Sequence, residues 1–500
     1  MAVVVALLGC VLALVLVLAA LSCRRFLTWT IKGLPHTSWP LPLFGNLPLV
    51  LLQREPLFRG LDRIYKKFPG EPYVGLYAGP SPVLMVKDVE AIKSITVKDF
   101  NVFGSHKLSP DARFDKAFSN FLFCLGGEEW KSMRVKMTPA FSSGRLKSMY
   151  PQVKAVGNKF LQAIELRKDT NDVIAANTMC SLYGIDVIAI CAFGIESNSL
   201  LEADRSAFLN AVADAFRFGP LEGLASLTLL FSDFAYRVLG LSMLQEWRTT
   251  VIRNLLRQSS EIRERSPPAN RDIFDNLLSL KKGGVSQERF EAQVLSMQVA
   301  GSETSAATVM FTLWMLARYP EVQEKLRHQL REARERDGGD LTYETMHENV
   351  YLDMVFKEVL RLWPVMPWLD RVASEDYTLP GTDVKIEKGT VVFLPSYSIQ
   401  RDPQFWEDPE AFNPERFAPE NSANINKLAF LPFGTGPRAC IGSRFADMSV
   451  KSAVSNIILN YEIGMTENTP RCEAELPINN RAFIITLEKE LPLRFRKLES

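Results

Sequence analysis

The stretch Phe433-Gly434-Thr435-Gly436-Pro437-Arg438-Ala439-Cys440-Ile441-Gly442 presents one cysteine in a glycine-rich loop, just ahead of a helix predicted from about Ser443 to Leu459. A cysteine ligates a metal as the thiolate, and backbone N–H groups with the positive end of a following helix stabilise that charge. Gly436 and Gly442 leave no side chain where a flat cofactor would approach the backbone. Arg438 is placed to pair with an anionic group. By residue type alone an unpaired cysteine before a helix is more often structural, so the loop leaves both roles open.

A second constellation, Ala300-Gly301-Ser302-Glu303-Thr304-Ser305, lies midway along a helix predicted from Ser286 to Tyr319. Glycine costs a helix interior about 1 kcal/mol relative to alanine, so Gly301 marks a place where another body approaches or the helix widens. Glu303 and Thr304 set a carboxylate beside a hydroxyl, the chemistry of a proton relay. A surface acid next to a back-bonding threonine is the plainer alternative. Glu358 and Arg361, three apart, share a helix face, as do Trp130 and Arg134 one turn apart.

Helical patterns dominate the elements that must position these residues. Ser286 is a good N-cap for the long helix, with Glu288 in its first turn. Pro320 opens a charged helix to about Arg336 that stops at Gly338-Gly339, and another covers Tyr351 to Leu362 before Trp363-Pro364. Short strands are predicted at Tyr73–Leu76, Val83–Val86, Val391–Leu394, Ala482–Leu487 and Leu493–Phe495. Ala207 to Leu244 is rich in Phe and Leu, which reads first as core and secondarily as a lid that touches a membrane.

Composition narrows the setting. Lys and Arg total 58 against 57 Asp and Glu, and no nucleic-acid motif occurs, so nucleic-acid binding is set aside. The seven cysteines are scattered without a Cys-x-x-Cys pair, and no Asn-x-Ser/Thr acceptor exists, the usage of a reducing compartment. Ala2 to Leu21 is a charge-free apolar run of 20 residues. As a helix it spans about 30 Å, a bilayer core, and exceeds the apolar part of a cleavable signal. Cys23-Arg24-Arg25 follows, so the remainder is expected in the cytosol. Leu34-Pro35, Trp39-Pro40-Leu41-Pro42 and Phe44-Gly45-Asn46 read as a stiff spacer. The expected domains are 1–23 as anchor, 24–48 as spacer and 49–500 as one catalytic unit, because no linker or repeat divides the rest.

The cysteine loop resembles the haem-binding loop of the cytochrome P-450 superfamily, Phe-x-x-Gly-x-Arg-x-Cys-x-Gly, with Phe433, Gly436, Arg438, Cys440 and Gly442 at the fixed places. The likeness extends from the proline spacer to the last strands. It is closest to the microsomal members that oxidise varied lipophilic compounds, especially arthropod ones, through Thr138 to Gly144 and Ala192 to Leu200. It implies a mainly α fold with smaller β sheets: a prism-like helical body and a β-rich subdomain behind the anchor. Carried over, Cys440 is the axial thiolate of haem b, Phe433 shields its sulfur, and Gly436 belongs to the cofactor pocket. Arg438, Trp130, Arg134 and Arg371 become propionate partners. Gly301 with Glu303 and Thr304 resembles the oxygen-binding motif, in which the last two steady dioxygen and deliver protons. Lys357-Glu358-Val359-Leu360-Arg361 and Pro414-Glu415-Arg416-Phe417 resemble a buried structural Glu-Arg-Arg cluster.

The resemblance further implies a monooxygenase of the endoplasmic reticulum membrane acting on a lipophilic small molecule. Electrons come from NADPH through NADPH-cytochrome P-450 reductase, with cytochrome b(5) as a second candidate partner. Lys131, Lys136 and Arg444 are candidate docking residues for the reductase. The pattern departs at the spacer, which lacks Pro-Pro-Gly-Pro, at Gln400 in place of a common histidine, and at Ser105-His106-Lys107 in place of Asp-Arg-Gly. A thiolate-haem isomerase or dehydratase, a non-catalytic haem or gas-binding protein, and a structural membrane protein are the alternatives. Thr304 argues against the first, and Glu303 with Thr304 against the second.

Overall fold

A computed structural model of the chain describes Gly9 and residues 26–37, 40–41, 44–216, 219–266 and 272–499. The apolar run expected to be a membrane anchor, Gly9 apart, lies outside the described residues. The helices framing the site are α1 (Gly127–Met137), α2 (Ser143–Arg167), α3 (Ala176–Ile188), α4 (Pro220–Phe231), α5 (Gln287–Arg318), α6 (Pro320–Arg336), α7 (Val350–Leu362) and α8 (Ser443–Asn460). The strands that bear on it are β1 (Tyr73–Ala78), β2 (Ser81–Val86), β3 (Val173–Ala175), β4 (Leu369–Val372), β5 (Val391–Leu394), β6 (Tyr461–Met465) and β7 (Pro492–Lys497).

The strands form small sheets at the flank of the helical body. One has the order β1-β2-β5-β4, with β2 and β5 parallel through Val83↔Val391 and Met85↔Phe393. Another has the order β3-β7-β6, all antiparallel. The strand predicted at Ala482–Leu487 is a correction: only an isolated bridge, Leu487 to Ile478, survives there. Its neighbour Ile485 gives its N–H to the Val365 carbonyl instead, so no one partner strand runs alongside this apolar segment.

The spacer does more than separate. Trp29 and Leu34 are buried, and the Trp29 indole lies on β1 and donates to the Leu76 carbonyl at 3.0 Å. Gly75 is required there, because a Cβ on it would sit 2.3 Å from the indole ring.

The body is organised around α5. The Ser286 hydroxyl caps it by accepting from the Arg289 N–H, and Tyr319 then breaks it ahead of Pro320. α5 is buried over most of its length, and α3 crosses it so closely that a Cβ on Gly184 would lie 2.4 Å from the Ser302 carbonyl oxygen. Among the described residues, Ala176–Phe193 is the one helical stretch long and apolar enough to cross a membrane, and 78% of it is buried in the protein. It is a core helix.

The Glu-Arg-Arg cluster welds α7 to the segment before the cysteine loop. Glu358 and Arg361 are fully buried; Arg361 Nε and Nη2 reach the carboxylate at 2.7 and 2.8 Å, and Arg416 Nε donates to it at 3.1 Å. The remaining Arg361 donors reach the Gln400, Pro409 and Ala411 carbonyls. Removing one member leaves a buried charge unpaired, which costs about 3–5 kcal/mol. Gln400, the departure from the family histidine, bonds the Leu360 and Arg361 carbonyls and accepts from the Leu431 N–H. It thereby ties α7 to the first residues of the cysteine loop.

Candidate active site

The cysteine loop folds back on itself through Cys440 N–H to the Phe433 carbonyl (2.8 Å) and Ala439 N–H to the Gly436 carbonyl (2.9 Å). Gly434 and Gly436 adopt φ of +71° and +74°, and a Cβ on Gly436 would lie 2.0 Å from the Thr96 carbonyl oxygen. Only glycine fits at 436. Cys440 is exposed, unlike Cys124, Cys180 and Cys191, which are buried. Desolvation pushes its thiol pKa up, while a hydrogen bond from Gly442 and the charge of Arg134 pull it down. Gly442 caps α8 without a side-chain bond, so first-turn N–H groups point toward the sulfur end of the loop. Phe433 packs 6.5 Å from the Phe356 ring on α7.

Three guanidinium groups gather beside this loop. Arg438 stacks 4.1 Å over the Trp130 ring of α1 and donates to the Gly104 and Leu125 carbonyls at 2.8 and 2.6 Å. Arg134, one turn along α1 from Trp130, donates to the Ala439 carbonyl at 2.9 Å. Arg371, on β4, is 2% exposed, and its Nε has no hydrogen-bond partner. Burial and then repulsion from Arg371 depress the Arg438 pKa to about 9; Asp370 opposes this and Arg134 adds to it.

Two residues of the cluster escaped the sequence reading. His106 Nδ1 lies 3.0 Å from Asp370 Oδ1, and the other Asp370 oxygen takes the Lys107 N–H. Burial lowers the His106 pKa against the opposing pull of Asp370. His106 was visible only as a departure from a family pattern, and Asp370 only as the neighbour of Arg371.

Between the ends of α5 the accessible residues are Val299, Ala300, Gly301, Glu303 and Thr304, with buried runs on either side. Thr304 Oγ1 donates to the Ala300 carbonyl at 2.5 Å, the back-bonded geometry. Burial raises the Glu303 pKa, and a hydrogen bond with Ser181 on α3 works against it. Glu303 therefore holds its proton to a higher pH than an ordinary carboxyl. Gly301 packs against α3, where a Cβ would meet the Ile188 side chain at 2.5 Å. Ala300 is the exposed small residue on the Thr304 face, as the i, i+4 spacing dictates.

The residues fit a haem. Among the described residues no three His, Cys, Asp or Glu side chains gather to hold a metal. A lone thiolate can therefore ligate one only where a cofactor brings the other ligands. Arg134, Arg371 and Arg438 carry positive charge in excess of Asp370, which suits a flat dianion.

A helical body that presents one cysteine from a glycine loop beside a cationic cluster, with an acid–alcohol pair on its long helix, has the features of a haem-thiolate protein. The cytochrome P450 family profile matches residues 35–487. Cytochrome P450 6j1 of Blattella germanica is 34% identical over 89% of both chains, and cytochrome P450 6k1 of the same species 35% identical over 95% of this chain and 93% of the relative. Cytochrome P450 6a2 of Drosophila melanogaster is 34% identical over 94% and 95%. The chain belongs to the cytochrome P450 family and is a monooxygenase that uses haem b and dioxygen.

Proposed function

We propose that the protein is a membrane-anchored monooxygenase of the endoplasmic reticulum that inserts one oxygen atom into a lipophilic small molecule, with NADPH-cytochrome P450 reductase supplying the electrons. The observation that carries this reading is the convergence of Cys440, the Arg134–Arg371–Arg438 cluster and the Glu303–Thr304 pair within one fold. Bound haem supplies the redox chemistry of dioxygen activation. Cys440 is its ligand, and Phe433 covers the sulfur. Arg134, Arg371, Arg438 and Trp130 hold the carboxylates at its edge. The Thr304 hydroxyl, freed from the Ala300 carbonyl, would hold and pass on a proton at Oγ1, and the Glu303 carboxyl would replace it.

The division into anchor (1–23), spacer (24–48) and catalytic unit (49–500) belongs to the same proposal, with the qualification that the catalytic fold recruits Trp29 and Leu34 into its core. Ala2–Leu21 with Arg24 and Arg25 supports the anchor and its orientation. Leu27, Ile31, Leu41, Phe44, Leu49 and Leu52 leave an apolar surface just beyond it, consistent with a membrane at that end. Lys131, Lys136 and Arg444 are exposed at the cysteine-loop side and suit an acidic redox partner; cytochrome b(5) would compete for the same charges.

The test is reconstitution of the full chain with reductase, NADPH and isotopically labelled dioxygen on a panel of lipophilic probes. One labelled oxygen in the product, dependent on reductase and abolished in Cys440→Ala, is expected. Haem-loaded protein that consumes no NADPH with any reductase or probe contradicts the proposal.

A further inference from the structure

Asp115 is fully buried and takes no part in the chemistry above. Its carboxylate collects Tyr236 Oη at 3.0 Å, Ser242 Oγ at 2.7 Å, and the backbone N–H groups of Met243 and Leu244 at 3.0 and 2.9 Å. All four donors come from one stretch, residues 232–249, more than a hundred positions away in sequence. That stretch follows α4 and is separate from the long helix.

The segment carrying Asp115 is an arch. Both of its feet, the Gly104 and Leu125 carbonyls, rest on the Arg438 guanidinium, beside the cysteine loop. Its descending limb leans on α5, where Gln293 bonds the Asn120 carbonyl at 2.5 Å and the Leu122 N–H at 3.2 Å. The arch meets residues 232–249 through a small apolar cluster distinct from the main core: Leu108, Ala225, Leu229, Tyr236 and Met243, joined by Phe114 and Phe483. Apolar contacts are non-directional and tolerate sliding, whereas a carboxylate saturated by four donors admits one position. A second tie, Ala117 N–H to Glu246, lies nearer the surface.

We propose that Asp115 is a positioning residue for specificity: it latches residues 232–249 onto an arch referenced to the cysteine loop and so fixes the size of molecule that enters above the site. The placement above the site rests on the haem reading; the latch itself does not.

The test compares the full-length haem-loaded protein with Asp115→Asn, which keeps the volume but turns one of the two accepting oxygens into an NH2 donor, so either Tyr236 or Ser242 with the Leu244 N–H loses its acceptor. Hydrogen exchange of peptides within 232–249 should rise about tenfold or more, with α8 unchanged. Association of imidazole with the haem, followed by its Soret shift, should stay within about twofold, while that of 4-phenylimidazole quickens by about fivefold or more. Where Asp115→Asn fails to fold, Ser242→Ala should move both readouts in the same direction by less. Unchanged exchange in 232–249, or equal acceleration of both azoles, overturns the proposal. Absence of any imidazole shift counts against the haem reading, and the exchange result then decides the latch alone.

Discussion

The Arg438 guanidinium lies 4.1 Å over the Trp130 ring while its N–H groups hold the Gly104 and Leu125 carbonyls, so one side chain joins α1, the arch and the cysteine loop. A lysine keeps the charge but neither the fork nor the stack. Charge-assisted hydrogen bonds contribute about 1.5–3 kcal/mol each, so Arg438→Lys should weaken haem retention by at least about tenfold. Trp130→Leu, which loses a cation–π contact of about 0.5–2 kcal/mol, should act in the same direction and less. Haem content per folded protein after gel filtration measures both.

Glu303→Gln and Thr304→Ala should separate electron consumption from product. Each removes a proton donor, an effect on the order of 10²-fold in the step it serves, while NADPH oxidation continues and peroxide accumulates. Because burial raises the Glu303 pKa, the carboxyl stays protonated below that raised value and loses its proton as pH climbs through it. Product per NADPH should therefore fall with rising pH in the wild type and be flat in Glu303→Gln. A parallel decline in both would assign the proton elsewhere.

The helix crossing makes two glycines unequal. A Cβ on Gly184 would strike the Ser302 backbone, which cannot yield, whereas one on Gly301 would strike the end of the Ile188 side chain, which can. Gly184→Ala should cost about 1–3 kcal/mol by overpacking. Gly301→Ala should cost less, because the Ile188 side chain can move aside, while about 1 kcal/mol of helix propensity is recovered at both positions. Thermal unfolding of the two variants orders them.

Breaking the Glu-Arg-Arg cluster should sharply lower the amount of folded protein. Arg361→Leu leaves the fully buried Glu358 with only Arg416 and the Asn413 N–H, a loss of about 3–5 kcal/mol out of a total near 5–15. The yield of haem-containing protein from membranes, compared with an Arg444→Ala control at the exposed surface, reads this directly.

Local chemistry made much of this architecture legible in advance. Ser286 and Pro320 announced helix starts because a cap and a fixed φ act within one turn, and Gly338 and Gly339, at φ of +77° and +104°, announced a stop. The cysteine loop was legible through a motif that is contiguous in sequence. Gly301 signalled a close approach without naming the partner, and one partner in this fold is Ile188 of α3. His106 with Asp370, and Asp115 with its four donors, were invisible because these partners lie 264 and 121 to 129 positions apart. Phe483 to Leu487 has strand composition, but a strand also needs a partner, and none runs beside it.

The thiolate ligation by Cys440 is tested most directly by the spectrum of the reduced, carbon monoxide-treated protein in membranes. The wild type should give a strongly red-shifted Soret band, and Cys440→His should keep haem while giving the unshifted band of a nitrogen-ligated iron. A wild type that binds haem with only the unshifted band, or a Cys440→His variant that retains the red shift, would contradict the assignment of Cys440 and the mechanism built on it.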